Sequence, residues 1–300
     1  MARYLDPKND LVFKRIFGEH PHLLISFLNA ILPLETEIVD VEYLSPEMTP
    51  DTPTKKFSMV DVRCIDSMER TFIVEMQMFW NNMVMNRMVF NTSKAYVRQL
   101  DRAESFADLQ PVYGIGIIND VFDKVTKEYY HRYQILNKEN TNEVIEGLEY
   151  VMLELPKFKF SNREEKKMAV LWLRFLSEIN EKTQDVPDEL LNNDTMNQAL
   201  SICEYAAFTD KELLVYDANM DTIRSEKGVI EETLRVGRKE GMEEGRKEGM
   251  EEGRKEGKEE GRKEEVLKII ANCKKNRLST EQIMSITGLS EEQINKLCNS

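Results

Sequence analysis

Three hundred residues, 41% hydrophobic and 32% charged, can bury a core without staples and leave a highly charged part in solvent. A net charge of −13 excludes coating of nucleic acid by bulk electrostatics, yet residues 1–100 carry 11 Lys+Arg against 13 Asp+Glu, so a DNA-facing patch stays open there. No apolar run reaches the ~18 residues of a membrane span, Met1 to Asp6 has no signal-like core, and Cys64, Cys203, Cys273 and Cys298 lack C-x-x-C spacing. A cytoplasmic chain with free thiols and no membrane role is expected.

Asp6-Pro7-Lys8-Asn9-Asp10 supplies helix-start residues ahead of Leu11, Phe13, Ile16 and Phe17 at helical spacing, with Gly18 as the stop. A second helix follows Pro21 to about Leu32, where Pro33 ends it. Strands are expected over Ile38–Leu44 and Lys56–Ile65, separated by a Pro/Thr-rich loop from Ser45 to Thr54. Asp66 to Glu69 reads as the turn before the strand Arg70–Trp80. In that strand Phe72, Val74, Met76, Met78 and Trp80 form one apolar face, while Glu75 and Gln77 leave the other. A helix from Asn82 to Arg102 and a buried strand over Pro111–Ile118 come next, then strands near 128–136 and 149–155. The pattern turns helical from Glu164 to about Gly228, broken at Pro187.

Glycine occupies every fourth position from Gly237 to Gly261 in a repeat of Gly-Arg-Lys-Glu-Gly-Met-Glu-Glu. Each glycine costs a helix ~1 kcal/mol relative to alanine, and Glu243–Lys247, Glu251–Lys255 and Glu259–Lys263 return only ~0.3 kcal/mol each. The repeat is therefore a solvated tether or a helix held by close packing against another. Residues 266–300 suggest two short helices around Gly288, a helix-turn-helix-like unit without basic residues clustered on its second helix. The organisation expected is a domain over 1–160, a helical region over 161–235, the repeat over 236–265 and the small unit over 266–300.

Asp61 and Glu75 are carboxylates inside apolar strands, where each needs a partner. Residues paired across a hairpin share a face, so the two converge only if the connection is odd in length, three or five residues. With the Met76 carbonyl they would offer hard oxygen ligands for Mg²⁺, Mn²⁺ or Ca²⁺. Such an ion lowers the pKa of water and neutralises charge on a scissile phosphate. The alternative is a pair of surface-facing carboxylates on a half-exposed sheet.

The run Asp6-Pro7-Lys8-Asn9-Asp10-Leu11-Val12-Phe13-Lys14-Arg15-Ile16-Phe17-Gly18, with Phe27 to Leu32, resembles the Rpn family of recombination-promoting nucleases and transposases, within the PD-(D/E)XK nuclease superfamily. The likeness continues through Asp61, Val74-Glu75-Met76-Gln77, Arg87, Tyr96, Gln99, Pro111 to Ile118 and Glu154-Leu155-Pro156-Lys157-Phe158, about the first 160 residues. It implies an α/β fold, a restriction-endonuclease-like mixed sheet flanked by helices, followed here by an all-α C-terminal region. It also implies that Asp61, Glu75 and Gln77 are catalytic. Gln77 departs from the superfamily's usual lysine: an amide can orient a water but brings no positive charge. Lys14, Arg87 or Lys94 is the candidate source of that charge, with Tyr96 as a further supporting residue. Asp10 is either a third acidic ligand or a helix-start residue. The sequence shows no three-carboxylate transposase arrangement.

The function expected is metal-dependent hydrolysis of DNA by an endonuclease that self-associates through its C-terminal helices. The competing expectation is an inactive nuclease-fold protein acting in DNA binding or assembly through its tail.

Overall fold

The computed structural model describes residues 4–49, 56–160 and 167–299. The chain divides into two compact units, Met1–Arg224 and Ser225–Ser300. Within the first, helices α1 (Asp10–Glu19) and α2 (Pro21–Ile31) lead to strand β1 (Val41–Tyr43), the short β2 (Glu47–Met48) and β3 (Ser58–Met59), then β4 (Val62–Asp66) and β5 (Thr71–Gln77). Helix α3 (Asn82–Val97) crosses to β6 (Val112–Ile118), followed by β7 (Tyr130–Leu136) and β8 (Val144–Glu154). Helices α4 (Met168–Glu178), α5 (Asp188–Leu191) and α6 (Asp194–Cys203) complete it, together with the start of α7 (Asp210–Lys275).

Six strands form one mixed sheet in the order β1-β4-β5-β6-β8-β7. β4 runs antiparallel to β1 and β5, β5, β6 and β8 are mutually parallel, and β7 is an antiparallel edge. The α/β architecture with helices on the sheet and an all-helical C-terminal part is thus present. Asn9 caps α1 by accepting from the Leu11 amide, and Gly18 lies inside that helix, so the stop comes two residues after it.

The two faces of β5 pack differently. Phe72, Val74 and Met76 join Phe13, Phe17, Phe27 and Trp172 in the main core, so α1, α2, α4 and α6 cover that side. The Phe17 ring lies 5.0 Å from Phe27 and 5.3 Å from Trp172 by centroid. Ile73 packs with Met88 and Ala95 of α3 on the other side. Gly114 lets α3 sit close: a Cβ there would meet the Met88 Sδ at 2.9 Å and Thr92 Cγ2 at 3.0 Å.

Two strand expectations are corrected. The strand expected over Lys56–Ile65 is two strands, because Ser58–Met59 leaves the main sheet to pair with β2 and Asp61 falls in the bend between. The first strand is only Val41–Tyr43. Residues 50–55 of the Pro/Thr-rich loop lie outside the described residues.

In the second unit α7 is helical throughout the glycine repeat, and a Cβ at any of the seven glycines from Gly237 to Gly261 would meet nothing within 4 Å. A capping box between Ser279 and Gln282 opens α8 (Thr280–Thr287), and Gly288 at φ 72° closes it. Helix α9 (Glu291–Asn299) follows, and Ile270, Cys273, Ile283 and Ile294 form a small core. No helix among the described residues is long and apolar enough to cross a membrane.

Candidate active site

The hairpin register is set by its turn. Val62 pairs with Val74 and Ile65 with Thr71, leaving five residues, 66–70, in the connection. Asp66 holds this turn: its Oδ1 accepts from the amides of Met68 at 3.0 Å and Arg70 at 2.9 Å, and its Oδ2 from Arg70 Nε at 2.7 Å. One step beyond Val62–Val74, the odd connection sets Asp61 against Glu75. The ladder has ended there, and the Asp61 Oδ2 takes the place of a strand partner by accepting from the Met76 amide at 2.7 Å. The Gln77 carbonyl accepts from Asn119 on the β6 side, so the Met76 carbonyl leaves β5 on the side of Asp61.

Glu75 is 2% exposed and is held from α3. Its Oε2 accepts from Arg87 Nη2 at 2.9 Å and Nε at 3.3 Å, and from Gln77 Nε2 at 3.4 Å. Its Oε1 accepts from Asn91 Nδ2 at 3.2 Å, and Ser58 Oγ fixes the Asn91 amide by donating to Oδ1 at 2.8 Å. Arg87 and Asn91 stand four residues apart on one helical face, which aims both at the carboxylate. The half-exposed sheet with surface carboxylates is therefore not what forms.

Asp61 faces a different set of charges. Burial pushes its carboxyl up to about 6, aided by Glu75 and Asp10, while the Met76 amide and Lys14 pull it down. The Lys14 Nζ stands 3.9 Å from Asp61 Oδ1 and 2.6 Å from Asp10 Oδ1, so one lysine bridges the two acids. Asp10 sits in the first turn of α1, behind the cap Asn9.

Asp61, Glu75, Met76, Gln77, Arg87 and Lys14 thus come together, with Asp10 behind Lys14. Tyr96 does not join them: it is nine residues beyond Arg87 on α3, about 13 Å along the axis, and its hydroxyl lies under Gly147. Lys94 donates to the Met48 carbonyl instead. Sequence reasoning missed Asn91 and Ser58; an asparagine one turn after Arg87, directly behind the apolar run Met88-Val89-Phe90, was the available signal. A second buried carboxylate, Glu154, has His131 Nε2 at 2.7 Å and Lys157 Nζ at 2.5 Å and accepts from the amides of Phe122 and Asp123, tying that loop to the end of β8.

Among the described residues no three His, Cys, Asp or Glu side chains gather as a metal-holding group. Two adjacent carboxylates plus one main-chain carbonyl nevertheless suit Mg²⁺, which takes one or two carboxylates and completes its shell with water and phosphate.

A family model described as PD-(D/E)XK nuclease family transposase matches residues 7–233, about three quarters of the chain. No significant match was found to a curated protein or to a solved structure.

Proposed function

For a chain that belongs to the PD-(D/E)XK nuclease family of transposases, we propose a metal-dependent DNA endonuclease whose reacting groups are Asp61, Glu75 and Gln77. The supporting observation is the convergence of Asp61 and Glu75 across a five-residue turn, with the Met76 amide locking Asp61 in place. Nucleases of this kind use divalent metal ions. Asp61, Glu75 and the Met76 carbonyl would hold one, Mg²⁺ or failing that Mn²⁺ or Ca²⁺. When bound it supplies positive charge to the scissile phosphate and acidifies water. Gln77, two residues beyond Glu75 on the same face, orients the attacking water through its amide but carries no charge. Arg87, next to Glu75, supplies the cation that lysine supplies elsewhere in the superfamily, and Lys14 gives a second beside Asp61. Burial of Glu75 and the Asn91 bond keep the carboxylate in one orientation. DNA is the substrate, the setting is a cytoplasm that keeps the thiols reduced, and the C-terminal helices carry self-association.

One feature favours a second reading, a nuclease-fold protein that binds DNA or assembles without cutting. Both Glu75 oxygens already have donors, from Arg87, Gln77 and Asn91. Plasmid nicking in Mg²⁺, Mn²⁺ or Ca²⁺ by wild type and Asp61→Ala separates the two. The endonuclease reading expects nicking that disappears in Asp61→Ala, and equal activity in both proteins rejects it.

A further inference from the structure

Arg63 has no assigned role, yet among the described residues it is a cation of the hairpin with no counter-ion. It stands on β4 two residues beyond Asp61, opposite Ile73, so it leaves the same face of the sheet as Asp61. Lys14, Arg70 and Arg87 each have a carboxylate within ion-pair distance. No carboxylate among the described residues is ion-paired with Arg63, and its buried Nε has no hydrogen-bond partner. A half-buried guanidinium in this position costs free energy until an anion arrives.

The space for that anion is present. Arg63 lines a cleft of about 310 Å³ together with Lys14, Glu19, Tyr43 and Asp61. Arg63 is the second residue of β4 and Asp61 is the bend residue just before that strand, so the two stand at the same end of it. Guanidinium is also the side chain best shaped to take two phosphate oxygens at once.

We propose that Arg63 binds a backbone phosphate of the DNA strand neighbouring the one presented to Asp61 and Glu75, and so fixes the register of the strand in the site. The proposal rests on the nuclease reading for the identity of its ligand. Such a contact positions the strand and reads no base. Arg63 is a binding residue that an empty protein holds at a cost, which accounts for a half-buried guanidinium whose Nε has no acceptor among the described residues.

The test is binding of the full-length protein to a fluorescein-labelled 20-base-pair duplex in EDTA across a salt series, for wild type, Arg63→Gln and Arg63→Lys. Arg63→Gln is expected to weaken binding about tenfold at low salt, equally for unrelated sequences, and to flatten the slope of log K against log[salt] by about 0.9. Arg63→Lys keeps the wild-type slope, and the melting temperature of Arg63→Gln stays level or rises because an unsatisfied charge is gone. An unchanged slope and affinity in Arg63→Gln overturns the proposal, as does Arg63→Lys matching Arg63→Gln. Inorganic phosphate that raises the melting temperature of wild type but not of Arg63→Gln, with the DNA slope unaltered, assigns Arg63 to a small anion and also overturns it. Failure of the nuclease reading shows separately, as equal nicking by wild type and Asp61→Ala.

Discussion

Arg87→Ala is the sharpest probe of what Glu75 is for. The substitution removes two of the donors on Oε2 and leaves a carboxylate that is 2% exposed with only Gln77 and Asn91. Breaking a fully buried ion pair costs ~3–5 kcal/mol. The Arg87 side chain is 44% exposed, so solvent already screens half of this pair, and water can enter the space it vacates. The expected loss is therefore ~1–2 kcal/mol in metal-free buffer. For a unit of this size that lowers the melting temperature by about 2–8 °C.

The informative part is recovery. If Glu75 and Asp61 hold a divalent ion, Mg²⁺ or Mn²⁺ replaces the lost guanidinium charge. An ion at 100 times its dissociation constant returns ~2.7 kcal/mol. Scanning calorimetry of wild type and Arg87→Ala, in EDTA and in saturating Mn²⁺, should then show a larger metal-induced rise in the variant than in wild type. A deficit that is the same with and without metal refutes the argument, because Arg87 would then be compensating a purely structural carboxylate.

The Asp61 carboxyl, raised to about 6, is protonated more readily in the native state than in the unfolded chain, so its ionisation destabilises the fold progressively from pH ~4 and fully above ~6. Metal binding needs the ionised form. The Mg²⁺-induced rise in melting temperature should therefore be greater at pH 7.5 than at pH 5, and equal rises would sink the assignment. Gly114→Ala pushes against Met88 and Thr92 of α3, which carries Arg87 and Asn91; a loss of ~1–3 kcal/mol with reduced nicking is expected, and a fully active, fully stable variant would contradict it. Alanine at Gly241, Gly245 and Gly249 meets open space and should raise helicity by circular dichroism, gaining ~1 kcal/mol per site. Light scattering on the same variant then decides the repeat's role: a fall in mass means that the glycines admit a neighbouring helix, and an unchanged mass removes them from self-association.

Much of the sheet was legible because its signals are local. Alternation in Phe72, Val74 and Met76 marked one core face, and the short apolar run near Ile115 marked a buried parallel strand. Loop parity was equally readable, since side-chain period is two and the turn is short. What the sequence could not show was decided between distant segments. Lys56–Ile65 looks like one strand, yet Pro46 and Met48 capture its first half through β2, and the resulting bend is what frees Asp61 from the ladder. Tyr96 stood with Arg87 in the resemblance and Lys94 was a candidate cation, but both face other partners, because a helix spreads neighbours in sequence around its axis. Asn91 carries no motif at all; only the approach of α3 over Gly114 brings it to Glu75.

These parts belong to one arrangement. The proposed nuclease centre needs carboxylates that are held in place, face one another and remain short of permanent counter-charge, or no metal or phosphate would gain by entering. The hairpin satisfies the first need through donors on Glu75 and the second through the five-residue turn. It leaves the third to Asp61, whose one close bond is to a neutral amide and whose nearest cation stands 3.9 Å away, shared with Asp10. Gln77 fits the same logic. A lysine there would bring a second cation to a carboxylate that Arg87 already pairs, and the amide instead adds a donor without charge. If Arg87 supplies the charge as proposed, the missing lysine and the arginine are one substitution spread over a strand and a helix, and Gln77→Lys should gain little nicking activity unless Arg87 is removed with it.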